Sequence, residues 1–208
     1  MTRRQDPAGP RAAMIRSAIK LIRQRGIAAV SFADVLADSG APRGSIYHHF
    51  PDGKAQLVEE ATRSAAEHLS AGVTRILDAS DTPGALRALA DLWRRGLEAG
   101  DYAVGCPIVA AALGTERSAR DVAGATFEAW CDLIAGKLVA DGADRVRARS
   151  VAVLVVGGLE GALVLAQARR SSAPLDAVVD ELSALCRSVI DVVPRQRGGE
   201  ITAPPPTG

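Results

Sequence analysis

The sequence predicts an all-α protein: an N-terminal three-helix head containing a helix-turn-helix, followed by a longer C-terminal helical body. Three observations predict it. Apolar residues recur three and four apart along most of the 208 residues, as they do on one face of a helix. Alternating polar and apolar runs are absent, and aromatics, which favour strands, make up only 3% of the chain. Glycines, prolines and side-chain caps fall between the periodic stretches, where helices must stop and start. With 48% apolar and 24% charged residues, the chain can build a core, which excludes wholesale disorder.

The elements follow in order. Residues 1–9 are expected to form a flexible tail. Ala12, Ile15, Ile19 and Ile22 make one stripe of a first helix, which Gly26 stops. Ser31-Phe32-Ala33-Asp34 reads as a capping box, with a hydroxyl for an orphan N–H and a carboxylate three residues on. The helix it opens buries Phe32, Val35 and Leu36 and ends at Gly40, which tolerates a left-handed C′ conformation. Pro42 restarts a short helix over 43–50, because its fixed φ suits a first turn. Pro51-Asp52-Gly53 ends that helix. A long helix is expected over 54–79, with Leu57, Ala61, Ala65, Leu69, Val73 and Ile76 on one side. The run Ser80-Asp81-Thr82-Pro83-Gly84 breaks it, and a further helix spans 85–99. A break at 100–107, a short apolar segment at 108–113 and a helix over 117–139 follow. Two apolar helices, 144–169 and 175–192, complete the body. Residues 194–208 hold four prolines and three glycines and are expected to be a disordered tail.

Charge is uneven. The formal net charge is only +1, yet residues 1–54 carry nine Lys/Arg against four Asp/Glu, and the rest carry 16 against 20. A basic head on an acidic body suits contact with phosphates. Cys106, Cys131 and Cys186 are too few for a disulfide framework and lack paired metal-ligand spacing. No cofactor or metal is therefore expected. The start has no apolar run of a signal peptide. The most apolar stretch, 151–166, contains Glu160 and three glycines and is shorter than the roughly 20 residues a bilayer needs. A cytoplasmic protein without a membrane partner is expected.

The head's two short helices and the turn at Gly40, packed on a third helix, make a helix-turn-helix. Such a helix fits the major groove of double-stranded DNA and brings side chains and backbone N–H groups to bases and phosphates. Ile46 and Phe50, four apart, point inward, leaving Arg43, Ser45, Tyr47, His48 and His49 outside. Arg43 can pair bidentately with guanine, Gly44 permits close backbone approach, and Ser45 and Tyr47 can donate to phosphate. On pattern alone the alternatives stay open: a generic capped helix pair, a half-buried core Tyr47 and merely solvated histidines. Adjacent histidines point about 100° apart on a helix, which argues against metal chelation by the pair.

The run Gly40-Ala41-Pro42-Arg43-Gly44-Ser45-Ile46-Tyr47-His48-His49-Phe50, with Lys54 opening a long helix, resembles the DNA-binding head of TetR-family transcriptional regulators. The resemblance is close over residues 10–60 and covers the rest by helix count and order. It implies base contacts from Arg43 and the Gly44 backbone. It also implies phosphate contacts from Ser45, Tyr47, His48, His49 and Lys54, with Ser31 capping its helix beside a phosphate. The chain departs from the family pattern in one extra residue before Lys54 and in Pro42, where Ser is usual. Phe50-Pro51-Asp52-Gly53-Lys54 and Gly105-Cys106-Pro107 resemble the branch that includes flavonoid- and drug-responsive repressors of efflux genes.

The body suggests two further surfaces. Helices 144–169 and 175–192 are apolar over more than one face, and Gly157, Gly158 and Gly161 permit close approach. Pairing with their copies in a twofold four-helix homodimer interface is expected; a fully internal core pair is the alternative. The glycines and proline around Cys106, together with a cluster of aromatics, suggest an apolar pocket for a small-molecule effector. Trp93, Leu97, Cys106, Val109, Phe127, Trp130 and Ile134 are its candidate lining, although aromatics at helical spacing also make ordinary core. The sequence thus suggests a repressor that a small apolar or aromatic compound releases from a palindromic operator, with residues 10–53 as head and 54–193 as body. A small helical enzyme with Cys106 as nucleophile and a protein-interaction module are the rival readings. All three histidines, His48, His49 and His68, fall on the head or the linking helix, and no carboxylate pair or phosphate loop appears. Cys106 therefore reads as a small packed residue facing the pocket.

Overall fold

The computed structural model describes residues 9–190, and every regular element among them is helical. The expected tails, 1–9 and 194–208, lie almost wholly outside the described residues. The head comprises α1 (Gly9–Arg25), α2 (Phe32–Ser39) and a segment that opens as a 3-10 turn, Arg43–Ser45, and continues as α3 (Ile46–His49). α4 (Gly53–Asp78) joins head to body. The body adds α5 (Thr82–Ala99), α6 (Pro107–Ala112), α7 (Arg117–Ala140), α8 (Arg145–Arg169) and α9 (Ala173–Ile190).

The caps of α2 are formed as read, whereas Pro42 is the extended residue before the next segment and not part of its first turn. Ser31 Oγ accepts from the Asp34 N–H at 3.2 Å, and Asp34 Oδ2 accepts from the Ser31 N–H at 2.9 Å. Gly40 ends α2 at φ 74°, left-handed, and donates to the Leu36 carbonyl. α1 buries a different stripe from the one its isoleucines suggest. Met14, Ser17, Ala18, Leu21 and Ile22 are buried, whereas Ile15 and Ile19 are half-buried. α2 packs on the former side, where Ser17 Oγ donates to Val35 O at 3.3 Å. Ile19 instead faces a groove between head and body that Ala65, Leu69 and Trp93 also line.

α5 begins three residues earlier than expected. Asp81 caps it by accepting from the Gly84 N–H at 2.9 Å, and Pro83 lies in its first turn, so the proline starts this helix rather than breaking the chain. Asp141, just past α7, fixes that start: it accepts from the Thr82 N–H at 2.8 Å and hydroxyl at 2.7 Å, and pairs with Lys137 at 2.9 Å. Burial opposes ionisation of Asp141, but the bonds to Lys137 and Thr82 outweigh it and hold its carboxyl below the ordinary carboxylate value.

Packing divides the apolar interior into two clusters. One runs without interruption from Met14, Val35, Ile46 and Phe50 of the head to Leu97, Cys106, Trp130 and Leu163 of the body. The other lies in the outer body, around Leu86, Leu138, Val155, Leu175 and Cys186. α8 packs against α7 and α9, and a Cβ on Gly158 would stand 3.2 Å from Leu182. Most of the apolar width of α9 is spent inside its own protomer, since Leu175, Val179, Leu182, Cys186 and Val189 are buried. α8 differs. Val153, Leu154, Val164 and Leu165 are all more than half exposed. Gly157 and Gly161 lie on the same open side with nothing within 4 Å of an added Cβ. By length and composition α8 could cross a membrane; here it is a body helix with one uncovered apolar side.

Candidate nucleic-acid interface and body cavity

The turn after α2 and the anchors beneath α3 make the presenting surface. Ile46 is 1% exposed and Phe50 fully buried, so the segment is held down from one side. Arg43, Gly44, Tyr47 and His48 face outward, and Ser45, His49 and Lys54 are half-buried. Tyr47 is 68% exposed, which removes the core-aromatic alternative. Its ring stands edge-on to Phe32 with centroids 5.5 Å apart, which fixes the direction of the phenol. Pro42 supplies no side-chain cap, and Ser45 Oγ donates to the Pro42 carbonyl at 2.7 Å. The Ser45 hydroxyl proton is therefore committed in the free chain, and a phosphate contact requires it to rotate. Ser31 is likewise engaged with Asp34, at the edge of the same surface. Arg11 lies over the Phe50 ring at 5.4 Å and pairs with Glu60 of α4, bracing the back of the head.

In the body, Trp93, Trp130 and Ile134 line a cavity of about 50 Å³ with Leu69 and Val73 of α4 and Glu160 of α8. Cys106 and Val109 line a neighbouring opening, and Glu160 borders both. Leu97 is buried in the core, while Phe127 is half-buried and stacks edge-on against Trp130 at 5.7 Å; neither lines the cavity. The residue that sequence reasoning missed is Glu160. In the sequence it interrupts an apolar stretch; in the structure it is a half-buried acid on the wall of an apolar chamber. Burial raises its pKa to about 7, against a weaker opposing bond from the Cys106 thiol. Its Oε2 is buried with no hydrogen-bond partner among the described residues. The only available signal was a lone carboxylate in the middle of an apolar helix.

Cys106 lacks the surroundings of a nucleophile. It is 5% exposed, and burial, then the neighbouring Glu160, push its thiol far above the ordinary value. Among the described residues no group of His, Cys, Asp and Glu is placed to hold a metal ion. Next to Cys106, the Gly105 N–H donates to Arg23 O at 2.9 Å, and Arg23 Nε donates to Gly105 O at 2.9 Å. The head is thus tied to the body beside the cavity as well as through α4.

Comparison with known proteins agrees with this arrangement. The model of bacterial regulatory proteins of the tetR family matches residues 14–61. The model of the C-terminal domain of LmrA/YxaF-like transcriptional regulators matches residues 83–181. The chain is 43% identical over 182 residues to an HTH-type transcriptional regulator of Mycobacterium tuberculosis, covering 84% of this chain and 92% of the relative. It is 26% identical over 166 residues to the HTH-type transcriptional regulator LmrA of Bacillus subtilis, covering 78% and 88%. Two solved structures share the fold. A TetR-family regulator from Agrobacterium tumefaciens has a TM-score of 0.74 at 23% identity, covering 86% of this chain and 98% of that one. The TetR-family regulator CifR, in complex with a 26-bp double-strand operator DNA, has a TM-score of 0.70 at 21% identity, covering 88% and 98%.

Proposed function

This chain belongs to the TetR family of DNA-binding transcriptional regulators, and from that premise we propose that it is a homodimeric repressor released from a palindromic operator by a small molecule bound in the body. The observation that carries the reading is α4. One continuous helix begins at the DNA-facing head and ends beside the cavity, and its Leu69 and Val73 line that cavity. The chamber is far smaller than the several hundred Å³ typical of ligand sites. An effector must therefore part the helices around it, and α4 is one of them.

In this reading Arg43 and the Gly44 backbone meet bases. Ser31, Ser45, Tyr47, His48, His49 and Lys54 meet phosphates. The uncovered side of α8, with the outer face of α9, forms the twofold interface. Two recognition segments then sit one helical turn, about 34 Å, apart or a multiple of it. An effector that favours another spacing lowers operator affinity through a coupling of about 1–3 kcal/mol, or roughly 5–150-fold. Action on the chromosome supports a cytoplasmic location. Residues 10–53 serve as the head and 54–193 as the body.

The test is direct. The full chain is titrated against DNA from upstream of its own coding region and against a scrambled duplex, with and without a compound that raises its melting temperature. Selective binding that the compound weakens is expected. Equal affinity for both duplexes would overturn the operator assignment, and affinity indifferent to every stabilising compound would overturn the coupling.

A further inference from the structure

Glu160 sets the chemistry of the cavity. Every other lining residue is aliphatic or an indole, and no Lys, Arg or His is among them. Trp130 turns its Nε1–H away and donates to Ser70 Oγ at 2.8 Å, so its ring rather than its donor bounds the space. Arg23 borders the neighbouring opening but donates its Nε to Gly105 O. The Cys106 thiol reaches the Glu160 carboxyl from that same side. Oε2 is left without a donor, and an acid in this setting is costly unless an occupant completes it.

Resting on the reading of this cavity as an effector site, we propose that it selects a protonated organic amine carrying an aromatic or branched apolar body. The ammonium N–H groups donate to Glu160, and the faces of Trp93 and Trp130 flank the cation. The three features act together. The ammonium supplies both the missing donor and the missing countercharge. The indole rings attract a cation electrostatically. The leucine and valine side chains of α4, α5 and α8 take the apolar remainder. A carboxylate ligand would face Glu160 with like charge, and a neutral alcohol would offer a donor without charge.

Both tryptophans of the chain line the cavity, so their emission reports occupancy. The experiment titrates the full chain, free of DNA, with phenylbutylamine, phenylbutanol and phenylbutyrate, three probes on one apolar frame, while exciting tryptophan selectively. The amine is expected to bind at least about tenfold more tightly than the other two. Glu160→Gln, with its melting temperature recorded, is expected to abolish that preference while retaining binding of the alcohol. Equal affinities for the three probes in the unaltered chain would overturn the proposal, as would no saturable binding of any probe, or a preference that survives in Glu160→Gln. The unaltered chain's own ranking decides the matter if the variant does not fold. Because no operator is present, a preferred amine that fails to displace DNA would count against the effector reading alone.

Discussion

Arg43 and Lys54 carry the same charge in different settings. Arg43 stands exposed at the opening of the presenting segment, whereas Lys54 is half-buried in the first turn of α4. If Arg43 reads a base, Arg43→Ala weakens operator binding by about 1–3 kcal/mol and leaves random DNA nearly unaffected. Lys54→Ala instead weakens both duplexes alike and flattens the dependence of affinity on salt. Fluorescence anisotropy across a salt series separates the two. Glu160 makes a prediction of another kind. Its folded-state pKa is raised from 4.5 to about 7, so the associated stability is fully present below about pH 4.5 and is lost as pH rises through about 7. Chemical denaturation should therefore find Glu160→Gln close to the unaltered chain at pH 4. At pH 8 the variant should be more stable, by up to about 3 kcal/mol. The outward placement of Arg43 was legible because Ile46 and Phe50, four apart in sequence, already fix which side of that segment faces in. The role of Glu160 was not, because its chamber is assembled from α4, α5 and α7, and its thiol neighbour lies at the cap of α6.

Helix ends show which local signals decide structure. Ser31, Asp34 and Gly40 act within a few residues of themselves, and the structure forms them as the sequence indicates. Pro83 was read as part of a break, although a proline also suits the first turn of a helix. Asp141 fixes it there from 59 positions away, by accepting from the N–H and hydroxyl of Thr82. That tie joins two body helices and is mostly shielded from water. Asp141→Asn should destabilise the chain by about 1–3 kcal/mol, because it weakens bonds made to a charged acceptor. The carboxyl's pKa is lowered, so its contribution is complete above the ordinary carboxylate range and disappears as pH falls through the lowered value. The difference in unfolding free energy between variant and parent should therefore shrink toward zero in acid. The stripe of α1 was misjudged for a related reason: two faces of that helix are apolar, and only the placement of its neighbours, α2 and α4 above all, selects Met14, Ala18 and Leu21 as the deeper one.

At the scale of the molecule, head and body are not separate bodies on a string. One apolar cluster runs from Val35 and Phe50 to Trp130 and Leu163. No gap in packing falls near residue 53, where the sequence divides head from body, and the sequence read helix by helix did not reveal that continuity. The uncovered side of α8 belongs to the same scale. Leu165 is 51% exposed, so Leu165→Glu should leave the helical fold of the protomer intact, as read by circular dichroism. It should nevertheless halve the mass measured by light scattering and weaken operator binding, since one head alone engages one half-site.

The reciprocal bonds between Arg23 and Gly105 have a mechanical consequence. Something hung from one point swivels in any direction, but something hung from two can only swing about the line that joins them. With α4 and this pair both holding it against the shared apolar interior, the trihelical unit cannot swivel freely on the body. A compound wedged beside Cys106 would press directly on that second tie.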